Sequence, residues 1–392
     1  MTKEQEYLIN ILQDHIAGRT TEPLENADWL AISNLARIHQ VDGIVYAQCK
    51  NFIPSDALQK FAQAYSAVIY YYVNRQKDMI QITDAMRKNN IPCFSVKGLE
   101  VAQYYPVPAL RTMGDCDIIV RPDDFYAAAD VMNRLGFFGT ANIDRSEWKG
   151  ERNGILYEVH GTLVKNDMHI KDYQTKFFND FMPYVCDGVL DWNFHFLFLF
   201  AHLYKHIVKT GAGLRHFMDL AVLISHGPKL DWQWIEEKLN ALELHKFAHA
   251  CYSLIEEWFG VSAPVQYKKM DKETHKYITQ KLLDDGLFGF SNDDNLNNHS
   301  RDLLIIKSGP LWTRRFITLL NNTFLGYDEM KNYPKCSFLQ SRPYLLPAAW
   351  VCRFAQLIAR KDKSVSRQTI GNSFISTDEL EKRKKFMDSM GI

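Results

Sequence analysis

The sequence predicts an α+β fold, in which a small mixed β-sheet is flanked by an N-terminal helical unit and a larger C-terminal helical unit. Three observations carry this. A short apolar run ends in Lys97-Gly98 and is followed by the strand-like DCDIIV, where Asp115 and Asp117 alternate with an apolar neighbour. Residues 137–164, FFGTANIDRSEWKGERNGILYEVHGTLV, alternate as a hairpin of two strands with a polar turn around Lys149 to Gly154. On either side the apolar residues recur at helical spacing, which divides the chain into 1–90, 91–187 and 188–392.

In the first region, residues 3–17 put Leu8, Ile9, Ile11, Leu12 and Ile16 on one stripe. A second helix covers Trp29 to Ile38, Asn51 to Asp56 break the pattern, and a long helix runs from Leu58 to about Lys88. Its tyrosines, Tyr70, Tyr71 and Tyr72, read as packing residues. NNIPCFSVKG is a turn and a strand, and Lys97-Gly98 passes into a helix from about Leu99 to Tyr104. Amides at a helix start, beside a glycine that permits close approach, suit a phosphate, and Lys97 adds a positive charge. Arg111 follows in a loop, able to pair bidentately with a phosphate or with a site carboxylate. After the acidic strand, RPDD opens a helix from Phe125 to Leu135, with Asp123 and Asp124 as capping residues.

The last region begins with a run containing His195, His202 and His206. The last two have the i, i+4 spacing of a zinc pair, but Leu203 stands where a zinc protease carries its glutamate, and the motif is incomplete. Arg215 and Asp219 share the same spacing and are expected to pair along a helix face. Two amphipathic helices fill 231–260, 290–302 is a loop, and further helices fall on LWTRRFITLLNNTFL and PYLLPAAWVCRFAQLIAR, the second interrupted by Pro347. From Lys361 onward the tail is polar.

Residues two apart on a strand share a face, so Asp115 and Asp117 converge. Like charges so close repel unless a cation lies between them. Mg²⁺ (or Mn²⁺), which binds through one or two carboxylates plus substrate phosphates, is the economical choice. A two-metal centre for in-line displacement at phosphorus then asks for a third acid on a neighbouring strand, and Glu158 supplies one. His160 shares the face of Glu158, placed to touch a phosphate or orient a carboxylate.

The segment KGLEVAQYYPVPALRTMGDCDIIVRPDDFYAAADVMNRLGF resembles the signature of the uncharacterised nucleotidyltransferase family, within the DNA polymerase beta-like nucleotidyltransferase superfamily. The resemblance is close over about 91–162 and looser into the helices beyond. It implies a nucleotidyltransferase core whose glycine turn falls on Lys97 and Gly98, whose metal pair falls on Asp115 and Asp117, and whose third acid is Glu158. It also implies that the histidine-rich stretch and the helix bearing Arg215 lie near the site, with Arg215 as a phosphate contact and Asp219 its partner. Two departures stand out: Lys97-Gly98 replaces the Gly-Gly or Gly-Ser usual in the superfamily, and Glu158 replaces an aspartate common in relatives. The implied reaction is metal-dependent transfer of a nucleoside monophosphate from a nucleoside triphosphate (NTP) to a small-molecule or protein acceptor, with release of pyrophosphate. The alternatives are a non-catalytic nucleotide-binding or scaffold protein that keeps the fold, and a zinc hydrolase built on His202 and His206.

Formal net charge is zero, from 46 basic and 46 acidic residues, so no global field recruits a long nucleic acid or an anionic membrane. Seven cysteines without CxxC spacing point to a reducing compartment. The N-terminus lacks the basic start and apolar core of a secretory signal. The most apolar run, Phe194 to Tyr204, is shorter than the ~20 residues that span a bilayer. A cytoplasmic protein is expected.

Overall fold

A computed structural model describes residues 1–141, 147–164, 171–209, 211–286, 324, 326–330, 336–359 and 377–392. They fall into two compact units, Met1–Gly289 with Ser389–Ile392, and Phe290–Asp388. The loop expected at 290–302 and nearly all of the helix expected at 311–325 lie outside the described residues, as does the tail from Lys361 to 376.

The first unit opens with helices α1 (Lys3–Ile16), α2 (Trp29–His39), α3 (Asp42–Cys49) and the 34-residue α4 (Ser55–Lys88). Strand β1 (Cys93–Val96) leads into the short α5 (Gly98–Ala102), then β2 (Asp115–Val120), α6 (Phe125–Arg134), β3 (Phe138–Ala141), β4 (Glu147–Arg152) and β5 (Ile155–His160). Helix α7 (Asp172–Asn179) and the small ladder of β6 (Val185–Cys186) and β7 (Val189–Leu190) precede five more helices. These are α8 (Trp192–Lys209), α9 (Leu214–His226), α10 (Trp232–Ala241), α11 (His245–Phe259) and α12 (Lys272–Asp285). The fold is α+β, with one mixed five-stranded sheet in the order β1-β2-β5-β4-β3. Strands β2 and β5 run parallel and every other pair in that sheet is antiparallel.

Strand alternation divides the sheet chemically. Cys116, Ile118 and Val120 of β2, Trp148 of β4, and Tyr157 and Val159 of β5 form one apolar face, packed with Ile82 and Met86 of α4 and Phe125, Ala128 and Met132 of α6. Intervening residues of the same strands, Asp115, Asp117, Glu158 and His160, belong to the opposite face.

The expected two-stranded hairpin is corrected in two respects. Three strands occupy this stretch, β3 pairing with β4 and β4 with β5. The polar turn is also tighter than Lys149 to Gly154. Strand β4 continues through Arg152, and Asn153 and Gly154 alone turn the chain, both at positive φ, as a two-residue hairpin requires. Lys149 is therefore a strand residue. Asp123 and Asp124 make no side-chain cap to α6; Asp124 instead pairs with Arg121 at 2.6 Å.

In the second unit, the described residues include helices Tyr327–Met330 and Leu346–Ala359, with Met330, Cys336, Leu339 and Ala349 forming a small core. Pro347 does not interrupt its helix: it lies in the first turn, where the missing N–H has no intrahelical acceptor to lose. Among the described residues no helix is long and apolar enough to cross a membrane.

Candidate active site

The register of the parallel pair builds the acidic cluster. Asp117 lies directly opposite Glu158, and Ile119 opposite His160. Asp117, Glu158 and His160 each present one ligand atom within 4.8 Å of the others. His160 Nε2 stands between the two acids, 3.1 Å from Asp117 Oδ1 and 3.2 Å from Glu158 Oε2. Asp115 is on the same face one pleat away, outside that tight group but lining the same cleft.

Lys97 precedes α5 with φ +60° and ψ −123°, a conformation costly for a residue with a side chain. Its backbone N–H donates to Nε2 of His195 at 2.9 Å. His195 is fully buried and stacked on Trp192, and burial pushes its pKa down to about 3, which keeps the ring neutral and Nε2 able to accept. The Lys97 side chain crosses to Asp117, with Nζ 2.7 Å from Oδ2. A Cβ on Gly98 would meet Met113 Sδ at an ordinary 3.5 Å, so packing alone does not demand glycine there.

Burial works to raise the Asp117 pKa, but Lys97 and the hydrogen bond from His160 outweigh it and hold this carboxyl well below the usual range. Burial likewise opposes the ionised form of Glu158, and His160 and Lys149 reverse the balance and lower its pKa. His160 is raised, because the same two carboxylates outweigh its desolvation. Asp115 moves the other way: burial, and then the charge of Asp117, raise its pKa. Its carboxylate adds a further oxygen donor to the same cleft. Together with the oxygen donors of Asp117 and Glu158, this fits a hard divalent ion such as Mg²⁺.

The expected Arg215–Asp219 pair is not formed. Asp219 accepts bidentately from Arg111, with Nε and Nη2 both at 2.7 Å, and from the Tyr105 hydroxyl at 2.7 Å. Arg111 and Asp219 are both buried, and a buried acid takes the fork that satisfies both its oxygens over a one-point helix neighbour. Arg215 instead donates from Nη1 to the Thr112 carbonyl at 2.5 Å. The loop between α5 and β2 is thus tied to α9 at two points. It is tied to α4 as well: Arg75 Nη2 donates to the Met113 and Gly114 carbonyls, both at 3.0 Å. Three residues further along α4, Asp78 accepts from the Tyr157 hydroxyl at 2.5 Å and from Arg152, bracing β5 and β4.

Sequence reasoning missed several of these groups. Glu147, buried on β4 opposite His160, is a fourth acid, with Oε1 3.9 Å from His160 Nδ1. Lys149 binds Glu158 Oε1 at 2.6 Å and Glu147 Oε2 at 3.3 Å. The available signal was Glu147-x-Lys149, the same two-residue spacing that exposed the aspartates.

The acidic face opens on a cleft of about 240 Å³ that includes Asp115, Asp117, Glu147, Glu158 and His160, with α8 supplying the other wall through Phe198, His202 and His206. An adjoining pocket of about 50 Å³ shares Lys97, Asp115, Asp117 and His202 and reaches Gly98, Arg111 and Arg215. The cleft approaches the 300–1,000 Å³ typical of small-ligand sites. Acids and fixed cations interleaved in this way suit a polyanion bound through a cation.

No curated protein and no solved structure matches the chain. A family profile described as uncharacterised nucleotidyltransferase matches residues 25–260, a span that contains the sheet, the Lys97-Gly98 turn and both helices of the opposing wall, and it gives nucleotidyl transfer as the general activity class. By that match, which covers more than half its length, the chain belongs to the uncharacterised nucleotidyltransferase family.

Proposed function

We propose that the protein transfers a nucleoside monophosphate from an NTP to a small-molecule or protein acceptor, releasing pyrophosphate, with Mg²⁺ or Mn²⁺ held by Asp115, Asp117 and Glu158. The observation that carries this is the facing register of Asp117 and Glu158 with Asp115 beside them. Bound there, the metal supplies charge neutralisation at the phosphates and a lowered pKa for the attacking group. Lys97 Nζ is the cation best placed to move from Asp117 to the terminal phosphates, with Gly98 leaving the approach open and Arg215 available from α9. His160 orients Asp117 and Glu158 through one ring nitrogen. Arg111, with Nε and Nη2 committed to Asp219, shapes the wall beside the phosphates. A rigid sheet suits catalysis by positioning and charge neutralisation. In this reading 91–187 is the catalytic core, preceded in sequence by the helical region 1–90 and followed by the helical region 188–392, and seven cysteines without CxxC spacing fit a reducing, cytoplasmic setting.

A second reading, nucleotide binding without turnover, is favoured by one feature: Lys97 Nζ already neutralises Asp117 from within the chain. Pyrophosphate release with each of the four NTPs, in Mg²⁺ and in Mn²⁺, separates the two. The enzyme reading expects release that disappears in Asp115→Ala and Asp117→Ala and falls at least ~100-fold in Glu158→Gln. NTP binding by the native chain, with the same slow release in all three variants, would establish the second reading.

A further inference from the structure

The wall opposite the acids carries a nitrogen-donor cluster that nucleotidyl transfer does not use. His202 and His206, one turn apart on α8, bring their Nε2 atoms to 3.0 Å. His216, in the first turn of α9, completes the group, and the three imidazoles each offer a ligand atom within 4.8 Å of the others. The rings of His206 and His216 lie 4.7 Å apart and those of His202 and His206 4.5 Å apart. From this geometry we propose that His202, His206 and His216 form a transition-metal site of the zinc class, distinct from the carboxylate site.

Zinc bonds to imidazole nitrogen at about 2.0–2.1 Å, so two ligands of a tetrahedral ion stand roughly 3.3 Å apart. The 3.0 Å already present between His202 and His206 is close to that edge. Imidazole donors select zinc, cobalt, nickel or copper over magnesium, whereas the oxygen donors across the cleft suit magnesium or manganese. Each wall therefore has its own preferred ion. Among the described residues, the buried His216 has an Nδ1 without a hydrogen-bond partner.

Three protein ligands leave a fourth position, as in zinc sites that take part in chemistry. His202 lines the cleft together with Asp115 and Asp117, so that position opens toward the acids. Lys205 and Arg215 carry positive charge near the cluster, which favours an anionic oxygen as the fourth ligand, from hydroxide or from the substrate. Sequence spacing exposed two of the three histidines; the third comes from the next helix and has no fixed spacing to them.

The test uses the untagged full-length chain, stripped with chelator and titrated with Co²⁺. The expected result is one Co²⁺ per chain with the intense visible absorption of tetrahedral cobalt, displaced by one equivalent of Zn²⁺ and unaffected by excess Mg²⁺. His206→Gln and His216→Gln should each weaken binding by roughly 100-fold or more. Asp115→Asn combined with Asp117→Asn should leave the band in place. A native chain without that band overturns the proposal, and so does a band that survives His216→Gln or is lost with the aspartates. Absorption and stoichiometry are read without turnover, so loss of nucleotidyl transfer would leave this result standing.

Discussion

Lys97 offers a test that separates backbone from side chain. Lys97→Ala and Lys97→Gly both delete the Nζ–Asp117 contact of 2.7 Å, so that contact cancels in a comparison of the two. At an ordinary position glycine is less stable than alanine by about 0.5–1 kcal/mol, because it has more backbone freedom to lose. At φ +60°, ψ −123° a residue bearing a Cβ pays of order 1–3 kcal/mol, which glycine avoids. Subtracting one from the other leaves the glycine variant more stable by about 1 kcal/mol, opposite in sign to the usual order. Urea unfolding followed by tryptophan fluorescence, with midpoints compared at constant m, measures the difference directly. An alanine variant as stable as the glycine variant, or more so, would refute the claim that this turn stores strain. The native lysine is tolerated because both ends are held, the amide by His195 and the ammonium by Asp117.

Other expectations concern the supports of the site. Asp219→Ala leaves the Arg111 guanidinium buried without its partner and should cost about 3–5 kcal/mol in urea unfolding; adding Arg111→Met should recover much of it, and a single-variant loss under about 1 kcal/mol would contradict the pair's assignment as buried. Gly150→Ala places a Cβ 2.2 Å from the Trp148 ring, so a loss of about 1–3 kcal/mol is expected, reduced in a Trp148→Leu background. His39 is locked neutral: Nε2 donates to the Leu283 carbonyl, Nδ1 accepts from the Leu214 amide, both at 3.2 Å, and burial lowers its pKa to about 4. A depressed histidine stabilises the fold fully above its unfolded value near 6.5 and loses that contribution as pH falls toward about 4, here about 3 kcal/mol. Unfolding midpoints taken from about pH 7 down to about pH 5 should therefore fall more steeply for the native chain than for His39→Gln, and parallel curves would count against the assignment.

What could be read beforehand was what repeats locally. Asp115 and Asp117 declare a strand face by their spacing, and α4 declares itself by the length of its pattern. Glu158 stands out only once the aspartate pair asks for a third acid on a neighbouring strand. Two of the misses are pairings across long separations: Asp219 with Arg111, 108 residues apart, and Arg75 with Gly114. Arg215 and Asp219 look like partners on a helical wheel, yet a bidentate fork from elsewhere displaces that match. Polar residues cluster around Lys149 as they do in turns, although Asn153-Gly154 suffices to reverse the chain. Propensity identifies a kind of element, whereas the partner a charge finds depends on the finished packing.

Because Asp117 and Glu158 meet only through the parallel ladder, the greasy side of the sheet acts as the lock on the chemistry. Sliding β5 by a single residue would turn Tyr157 and Val159 into the cleft and drive Glu158 and His160 among the side chains of α4 and α6. A deletion or insertion within β5 would therefore unpack the core and dismantle the acidic cluster in one stroke, so selection for a folded interior also preserves the alignment on which the acids depend.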